Sequence, residues 1–344
     1  MASLRIDGGK GSGSGTIVRY ALALSALAGK DLQLFNIRAR RDKPGLRPQH
    51  LAAASAVQEM CDGYLEGADV GSREIFFRPG SHLKSGSYHW NIGTSGSTTM
   101  LALNILPLAC LCPGEVSARI KGGTFQGYAP TALYLQKVLA PLVSRMGAQV
   151  EIDLVRAGYP PSGGGELFLR VKPSADGLHP LQLLDPGVVE GVGGVAFSSH
   201  LQERQVSERM AAAATKALNH KGYKPRISCL EDKEALQPGA VIVLWANTST
   251  GCLLGADALG QIRRTSEQVG REVARYLQRD LAAGATVDRF ASDQLVIFAA
   301  LAKGETIYRV PFVSEHLQTN LSLIEEIYGA EVAISDNFVS IKGQ

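Results

Sequence analysis

Apolar and polar positions along this chain follow two periods. Residues 31–37 alternate strictly, as a strand with one buried face does, and residues 131–146 repeat leucine and valine at the spacing of an amphipathic helix. Longer apolar runs occupy residues 17–27, 100–111 and 290–302. These patterns predict a chain in which short strands and helices alternate.

One order of elements recurs along the chain. A short strand at residues 4–6 precedes a glycine-rich loop and the helix 17–27, and a strand at 87–92 precedes a loop of small residues and the helix 100–111. Near the C-terminus, a helix that we expect Ser292 or Asp293 to cap is followed by a strand and a helix near His316. The recurrence predicts an internal repeat of one α/β unit, with two helices laid on a small sheet.

Between the second and third of these repeats, the predicted elements follow a different order. A glycine-rich apolar strand at residues 189–197, a second strand at 241–246 and helices at 205–220 and 265–281 form a β-α-β-α segment about the size of a minimal domain. We therefore predict a large domain made of residues 1–183 and 280–344. A smaller α/β domain, residues 184–279, is inserted between its halves.

Composition narrows the class of protein. The 344 residues are 45% hydrophobic and 19% charged, which is typical of a globular protein with room for two domains. A net charge of +3 is too small to indicate a nucleic-acid-binding protein, so any basic surface must be local. Five scattered cysteines favour reduced thiols and a cytoplasmic protein. We expect neither a signal peptide nor a membrane-spanning segment.

The glycine-rich loop at residues 8–15 is the first candidate for chemistry. It joins a strand to a helix and presents unpaired backbone N–H groups at the helix N-terminus, where phosphate binds readily. It matches neither G-x-x-x-x-G-K-[ST] nor G-x-G-x-x-G. A tight turn in which glycine only permits a positive φ remains the alternative interpretation.

A second loop carries charge. Residues 38–47 contain five basic side chains among ten positions, after a predicted strand and before a predicted helix. A solvated run of charge is one interpretation, whereas the placement favours a site for an anionic ligand, either phosphates or an RNA backbone. His316 lies near a helix start beside Ser314, Glu315 and Thr319. It could be a nucleophile or base, or only a helix-cap or core histidine.

Seven motifs occur in one order, at residues 7–19, 37–50, 93–99, 122–124, 158–165, 292–295 and 315–320. Together they resemble the RNA 3′-terminal phosphate cyclase family over nearly the whole chain. The resemblance implies an α/β (α+β) fold of three repeated units, each with two helices and a four-stranded sheet, and a smaller inserted α/β domain. It also implies an RNA with a 3′-terminal phosphate as partner, and a homodimer as the candidate assembly.

The resemblance further implies an activity, the ATP-dependent conversion of an RNA 3′-phosphate to a 2′,3′-cyclic phosphate through a histidyl-AMP and an RNA adenylate. ATP and a divalent metal, Mg²⁺ or Mn²⁺, would be required. The residues that match catalytic positions of the family are His316, Asp293, Arg19 and Arg41, with Asp293 expected to orient His316. Those that match positions at the nucleotide and the RNA phosphates are Arg38, Lys43, Gln49, Phe290, Pro130, Gly13 and Ser12.

Three positions depart from the family pattern. Ser12 stands where the family usually has an acid associated with the metal, Thr16 where it has Gln, and Phe125 where it has Asp. Losing a carboxylate removes a hard oxygen ligand, so no metal ligand is predicted. One alternative is a non-catalytic or weakly active relative that acts as a binding factor in RNA processing or ribosome assembly, although His316 argues against it. Another is a transferase built on the same unit, as the enolpyruvyl transferases are.

Overall fold

The computed structural model describes residues 3–343 and contains four four-stranded sheets. Three of the sheets share one topology. In each, the first two strands along the chain pair in parallel, and the other two complete the sheet in antiparallel fashion. The predicted threefold repeat of an α/β unit is therefore confirmed, and we call the repeats unit 1, unit 2 and unit 3.

Unit 1 has the sheet order β1-β2-β4-β3. Its elements are β1 (Leu4–Asp7), α1 (Gly15–Ala28), β2 (Leu32–Phe35), α2 (Pro48–Cys61), β3 (Tyr64–Glu66) and β4 (Ile75–Arg78). The glycine loop joins β1 to α1, and the basic loop joins β2 to α2. Both loops therefore leave the same end of two parallel neighbouring strands, which brings them together in space.

Unit 2 repeats this arrangement with the order β5-β6-β8-β7. Its first part consists of β5 (Gly86–Asn91), α3 (Thr98–Ala109) and β6 (Val116–Gly122). The amphipathic helix follows as α4 (Ala132–Tyr134), a π-helical segment (Leu135–Leu139) and α5 (Ala140–Ser144), and the unit ends with β7 (Gln149–Arg156) and β8 (Gly165–Lys172). Thr131 caps the helix, since its hydroxyl accepts a hydrogen bond from the Tyr134 amide at 3.1 Å.

Unit 3 starts with β9 (Gln182–Leu183) and is then interrupted. The insert has the order β11-β10-β12-β13 and consists of β10 (Val189–Ser199), α6 (Val206–Asn219), β11 (Pro225–Asp232), β12 (Gly239–Thr248), β13 (Leu253–Leu259) and α7 (Ser266–Ala282). It occupies the position that the glycine loop holds in unit 1. The boundary predicted at residue 279 falls in the last turn of α7, and the division into two domains remains our proposal.

After the insert, unit 3 resumes with the order β15-β16-β14-β9. Its elements are α8 (Ala291–Leu301), β14 (Glu305–Arg309), α9 (Glu315–Leu323), a π-helical segment (Ile324–Tyr328), β15 (Glu331–Ser335) and β16 (Phe338–Lys342). Two predicted details were wrong. The cap of α8 is not Ser292 or Asp293 but Asp288, whose carboxylate accepts the Phe290 and Ala291 amides at 2.8 and 3.0 Å.

The insert also has four strands where the pattern predicted two. The two missed strands, β11 and β13, lie at the two edges of the sheet. Strand β11 is exposed at most positions, and β13 begins with four consecutive buried residues, so neither shows an alternation of buried and exposed residues. The glycine-rich β10 is a closely packed strand, as predicted, because a Cβ at Gly193 would lie 2.5 Å from the Trp245 ring. Within residues 3–343, no helix combines the length and the apolar composition needed to cross a membrane.

Candidate active site

A cleft of about 1000 Å³ lies between all three units and the insert. We call it the central cleft. Eight of the eleven predicted site residues line it: His316, Asp293, Arg19, Arg41, Arg38, Gln49, Phe290 and Pro130. The N-terminus of α1, at Ser14, Gly15 and Thr16, also faces it. The cleft therefore combines backbone N–H groups, arginines, a histidine and an aromatic ring.

His316 lies in the first turn of α9, as predicted. Ser314 caps this helix, since its hydroxyl accepts the Leu317 amide at 3.0 Å. Partial burial, together with the charges of Arg41 and Arg19, lowers the pKa of the His316 imidazole. The ring forms no hydrogen bond with any other residue between 3 and 343. A neutral, unengaged imidazole of this kind is available as a nucleophile at pH 7.

Arg19 lies on α1 at the bottom of the cleft and is only 3% exposed. Its guanidinium approaches Thr16 Oγ1 at 3.5 Å through Nη2, while its buried Nε has no partner in the described part of the chain. Burial lowers the pKa of this group, and the nearby Asp293 carboxylate opposes the shift. A buried cation with so few bonds can gain strong charge-assisted hydrogen bonds from an anionic ligand.

Asp293 is fixed mainly through its backbone. Its carbonyl accepts hydrogen bonds from the Tyr20 hydroxyl at 2.6 Å and from Asn320 Nδ2 at 2.9 Å, and its carboxylate accepts one from Gln294 at 2.8 Å. Burial raises the pKa of this carboxyl to about 7. No hydrogen bond joins this carboxyl to His316 within residues 3–343, so no direct hydrogen bond supports the role expected for Asp293 in orienting His316.

The wall of the cleft formed by unit 1 is positively charged. Arg38 has a positive φ of 52° and donates to the carbonyls of Lys43 and Gly45 at 2.7 and 2.9 Å, which fixes the turn of the basic loop. Arg41 and Arg47 also line this wall. None of these arginines, nor Arg19, forms an ion pair with a residue in the range 3–343, so their charge is free for a ligand.

The opposite wall carries arginines that are already neutralised. Arg264 pairs with Glu272, and Arg289 pairs with Asp280 at 2.6 Å. The Arg289 guanidinium also lies 5.0 Å from the centre of the Tyr276 ring, which makes this side a rigid, partly aromatic surface. The cleft is therefore electrically asymmetric, and a polyanionic group is favoured against unit 1.

Three predicted residues lie outside the lining. The Ser12 amide donates to Thr319 Oγ1 at 3.0 Å, which ties the glycine loop to α9, and its hydroxyl lies 3.0 Å from that of Ser14. Gly13 has a φ of 53°, which explains the need for glycine there. Lys43 is exposed, and its backbone carbonyl, not its amine, takes part in the Arg38 contact.

Sequence reasoning did not single out Arg47 or His50, although both stand in a quoted motif. The His50 Nδ1 atom accepts the Arg47 amide at 3.1 Å, and burial together with the neighbouring arginines lowers the pKa of this imidazole to about 3. The ring packs so closely on Gly15 that a Cβ there would lie 2.1 Å from Nε2. This close approach couples the basic loop to the glycine loop, and no local pattern could have revealed it.

The acids near the cleft do not form a preformed metal cage. No group of three histidine, cysteine or acidic side chains suited to a metal occurs within residues 3–343. Asp257 accepts the Thr131 amide at 2.8 Å, and Glu272 is held by Arg264. Phe125, at the position where the resemblance led us to expect an acid, is buried between Tyr159 and Phe197 with ring centres 5.2 and 5.7 Å away, so it joins unit 2 to the insert.

Comparisons with known proteins agree with this architecture. A family profile described as RNA 3′-terminal phosphate cyclase matches residues 10–334. Proteins named RNA 3′-terminal phosphate cyclase from Caldivirga maquilingensis and Pyrobaculum neutrophilum are 40% and 38% identical to the chain, covering 96% and 94% of it and 94% and 92% of their own lengths. The protein of that name from Staphylothermus marinus is 38% identical over the whole chain and 95% of its own length. With the profile and these relatives both spanning its three repeats and its insert, the chain belongs to the RNA 3′-terminal phosphate cyclase family.

Proposed function

We propose that this protein converts the 3′-terminal phosphate of RNA to a 2′,3′-cyclic phosphate with ATP, through a covalent adenylate on His316. The observation that carries the proposal is the combination, in one cleft, of a neutral imidazole with arginines that have no carboxylate partner among the described residues. A nucleophile must approach a phosphoryl group whose charge is offset, and this cleft offers both.

The first step forms the adenylate. A ring nitrogen of His316 attacks the α-phosphorus of ATP, the bond from that phosphorus to the β-phosphate oxygen breaks, and pyrophosphate leaves with the electron pair. Arg19 and Arg41 lie where they can offset charge on the phosphoryl oxygens. Phe290 supports stacking of the adenine, since its ring is held edge-on by Tyr134 at 5.8 Å.

Two transfers complete the reaction. An oxygen of the RNA 3′-phosphate attacks the same phosphorus, the nitrogen–phosphorus bond breaks, and neutral His316 is regenerated. The adjacent 2′-hydroxyl then attacks the terminal phosphorus, loses its proton and expels AMP. Adenylation is needed because an unactivated phosphate monoester has a poor leaving group for ring closure.

ATP fits the hydrogen-bond donors of the cleft better than a bound metal does. Mg²⁺ is usually held by one or two carboxylates together with substrate phosphates, so Mg²⁺ or Mn²⁺ would arrive on the triphosphate rather than in a cage of side chains. No step is assigned to the metal. The possible homodimer likewise stays a prediction.

The test uses ATP labelled in the α-phosphate. We expect acid-labile label on the protein, its loss in His316→Ala, and its retention in the matched control His89→Ala, because His89 is exposed on β5 and outside the cleft. With RNA added, the product end should resist phosphatase. Label that survives in His316→Ala would rule out the mechanism. A wild-type protein that takes no label and cyclises no RNA would favour the binding-factor alternative.

A further inference from the structure

The two most exposed large apolar side chains within residues 3–343 belong to segments that line the central cleft. Tyr128 is 103% exposed and lines the cleft. Ile262 is 95% exposed and lies between Gln261 and Arg264, which line the cleft from the insert. Single exposed apolar residues are ordinary on protein surfaces, but two fully exposed ones in segments that line one cleft point to a ligand.

The loop that carries Tyr128 is held at both ends. The Gln126 side chain donates to the Ser95 carbonyl, in the small-residue loop of unit 2. The Thr131 amide donates to the Asp257 carboxylate of the insert at 2.8 Å. The tyrosine therefore lies on a short loop anchored to two parts of the molecule, although its ring buries no area and contributes nothing to the core.

Tyr128 and Arg19 stand at opposite depths of the same cleft. Arg19 is 3% exposed at the bottom, near His316, where the terminal phosphate must react under the proposed function. A strand whose 3′ end reaches that depth must leave through the mouth. The nucleotides on the 5′ side of the terminal one then pass the exposed ring.

We propose that Tyr128 is a stacking platform for a base of single-stranded RNA upstream of its 3′-terminal nucleotide, with Ile262 as an apolar contact on the insert side of the mouth. This inference rests on the proposed function and adds to it a subsite for the RNA chain. Aromatic side chains stack on any base, because every base has a π-face. Arg264, which lines the cleft from the insert, is paired with Glu272, so this arginine is not free to bind a phosphate.

The subsite gives the enzyme a preference for chain length without a preference for sequence. A stacked base is worth about 1–3 kcal/mol, which corresponds to about a 5- to 100-fold difference in affinity. A longer RNA is therefore bound more tightly than a terminal nucleotide alone, whatever its bases.

The experiment compares Tyr128→Ala and Tyr128→Phe with the wild-type protein. The substrates are an RNA hexamer with a 3′-phosphate and the same hexamer with an abasic site at the second, third or fourth nucleotide from the 3′ end. We expect Tyr128→Ala to raise the KM for the hexamer about 5- to 100-fold with kcat nearly unchanged, and Tyr128→Phe to stay close to wild type. At one of the three positions, the abasic site should raise the KM of the wild type as much as Tyr128→Ala raises the KM for the intact hexamer. The same abasic site should have no further effect on the KM of Tyr128→Ala.

The matched control is Tyr64→Ala, since Tyr64 is 55% exposed on β3 and does not line the cleft. The subsite is overturned if the KM of Tyr128→Ala lies within twofold of the KM of that control. It is also overturned if every abasic hexamer raises the KM of Tyr128→Ala as much as it raises the KM of the wild type. In the first case the exposed ring is available for a protein partner instead. Labelling of His316 with ATP alone is measured on the same preparations. If it is absent in the wild type, the proposed function fails; if it is normal while the KM is unmoved, only the subsite fails.

Discussion

Replacing Arg19 by methionine should make the ligand-free protein more stable while weakening its binding of nucleotide. Arg19 is 3% exposed, its Nε has no partner within the described residues, and its one side-chain contact, to Thr16 Oγ1, is 3.5 Å long. Methionine keeps the unbranched apolar stem of the side chain and removes the guanidinium together with its charge. The exchange thus separates the cost of burying the guanidinium from the packing of α1.

The size of the effect follows from these contacts. A buried donor left without an acceptor costs about 1–3 kcal/mol, and an unpaired buried charge costs more. Asp293 loses its neighbouring cation, but its pKa of about 7 lets it take up a proton near pH 7 at little cost. We expect Arg19→Met to raise the free energy of unfolding by about 1–3 kcal/mol and the melting temperature by roughly 1 to 4 °C.

Nucleotide binding should change in the opposite direction. A charge-assisted hydrogen bond to phosphate is worth about 1.5–3 kcal/mol, so its loss should raise the Kd about ten- to a hundredfold. At a ligand concentration that is 100 times the wild-type Kd, stabilisation by the ligand should fall from about 2.7 kcal/mol to about 0.4–1.4 kcal/mol.

The assay is thermal and urea unfolding with and without an ATP analogue that has a methylene bridge between the α- and β-phosphates, which prevents transfer to His316. Arg271→Met is the control, because Arg271 is exposed on α7 and forms no hydrogen bond or ion pair with other residues between 3 and 343. We expect that control to stay within about 0.5 kcal/mol of wild type. A ligand-free Arg19→Met protein that is less stable than wild type, or one that the analogue stabilises fully, would refute this account of Arg19.

Two further predictions concern the wall of the cleft and its acid. Gly15→Ala should lower the free energy of unfolding by about 1–3 kcal/mol and weaken nucleotide binding, because its Cβ would lie 2.1 Å from His50 Nε2. Stability is measured by urea unfolding, with Gly191→Ala as the control because a Cβ there meets no atom within 4 Å. Equal effects at both sites would contradict the packing argument. Burial raises the pKa of Asp293 to about 7 from 3.8, so the folded protein holds this proton more tightly than the unfolded chain does. The stability of wild type relative to Asp293→Asn should therefore be greatest below pH 4 and fall by up to about 4 kcal/mol as the pH rises to 7. A difference that does not vary with pH would show that folding leaves the pKa of this acid unchanged.

The repeat could be predicted because the order of elements in each unit is visible in the local pattern of apolar and small residues. Strand, small-residue loop and apolar helix recur, and the three sheets share one order. The edge strands β3, β11 and β15 escaped prediction because none of their residues is buried. The cap of α8 was misplaced because Asp288 lies before the apolar run and is held by Tyr134 and Gly255, at 2.7 and 2.8 Å, from unit 2 and the insert.

The sequence alone determined the kinds of groups available: a glycine loop at a helix N-terminus, a basic loop, and a histidine at a helix start. Tertiary structure decided which of them meet. It brought Arg19 beside His316, left the arginines of unit 1 without carboxylates among the described residues while pairing those of the opposite wall, and kept Lys43 and Ser12 out of the cleft lining. The physical reason is that the charge state, burial and exposure of a side chain depend on neighbours that are distant along the chain, whereas periodicity and turn chemistry depend on the next few residues.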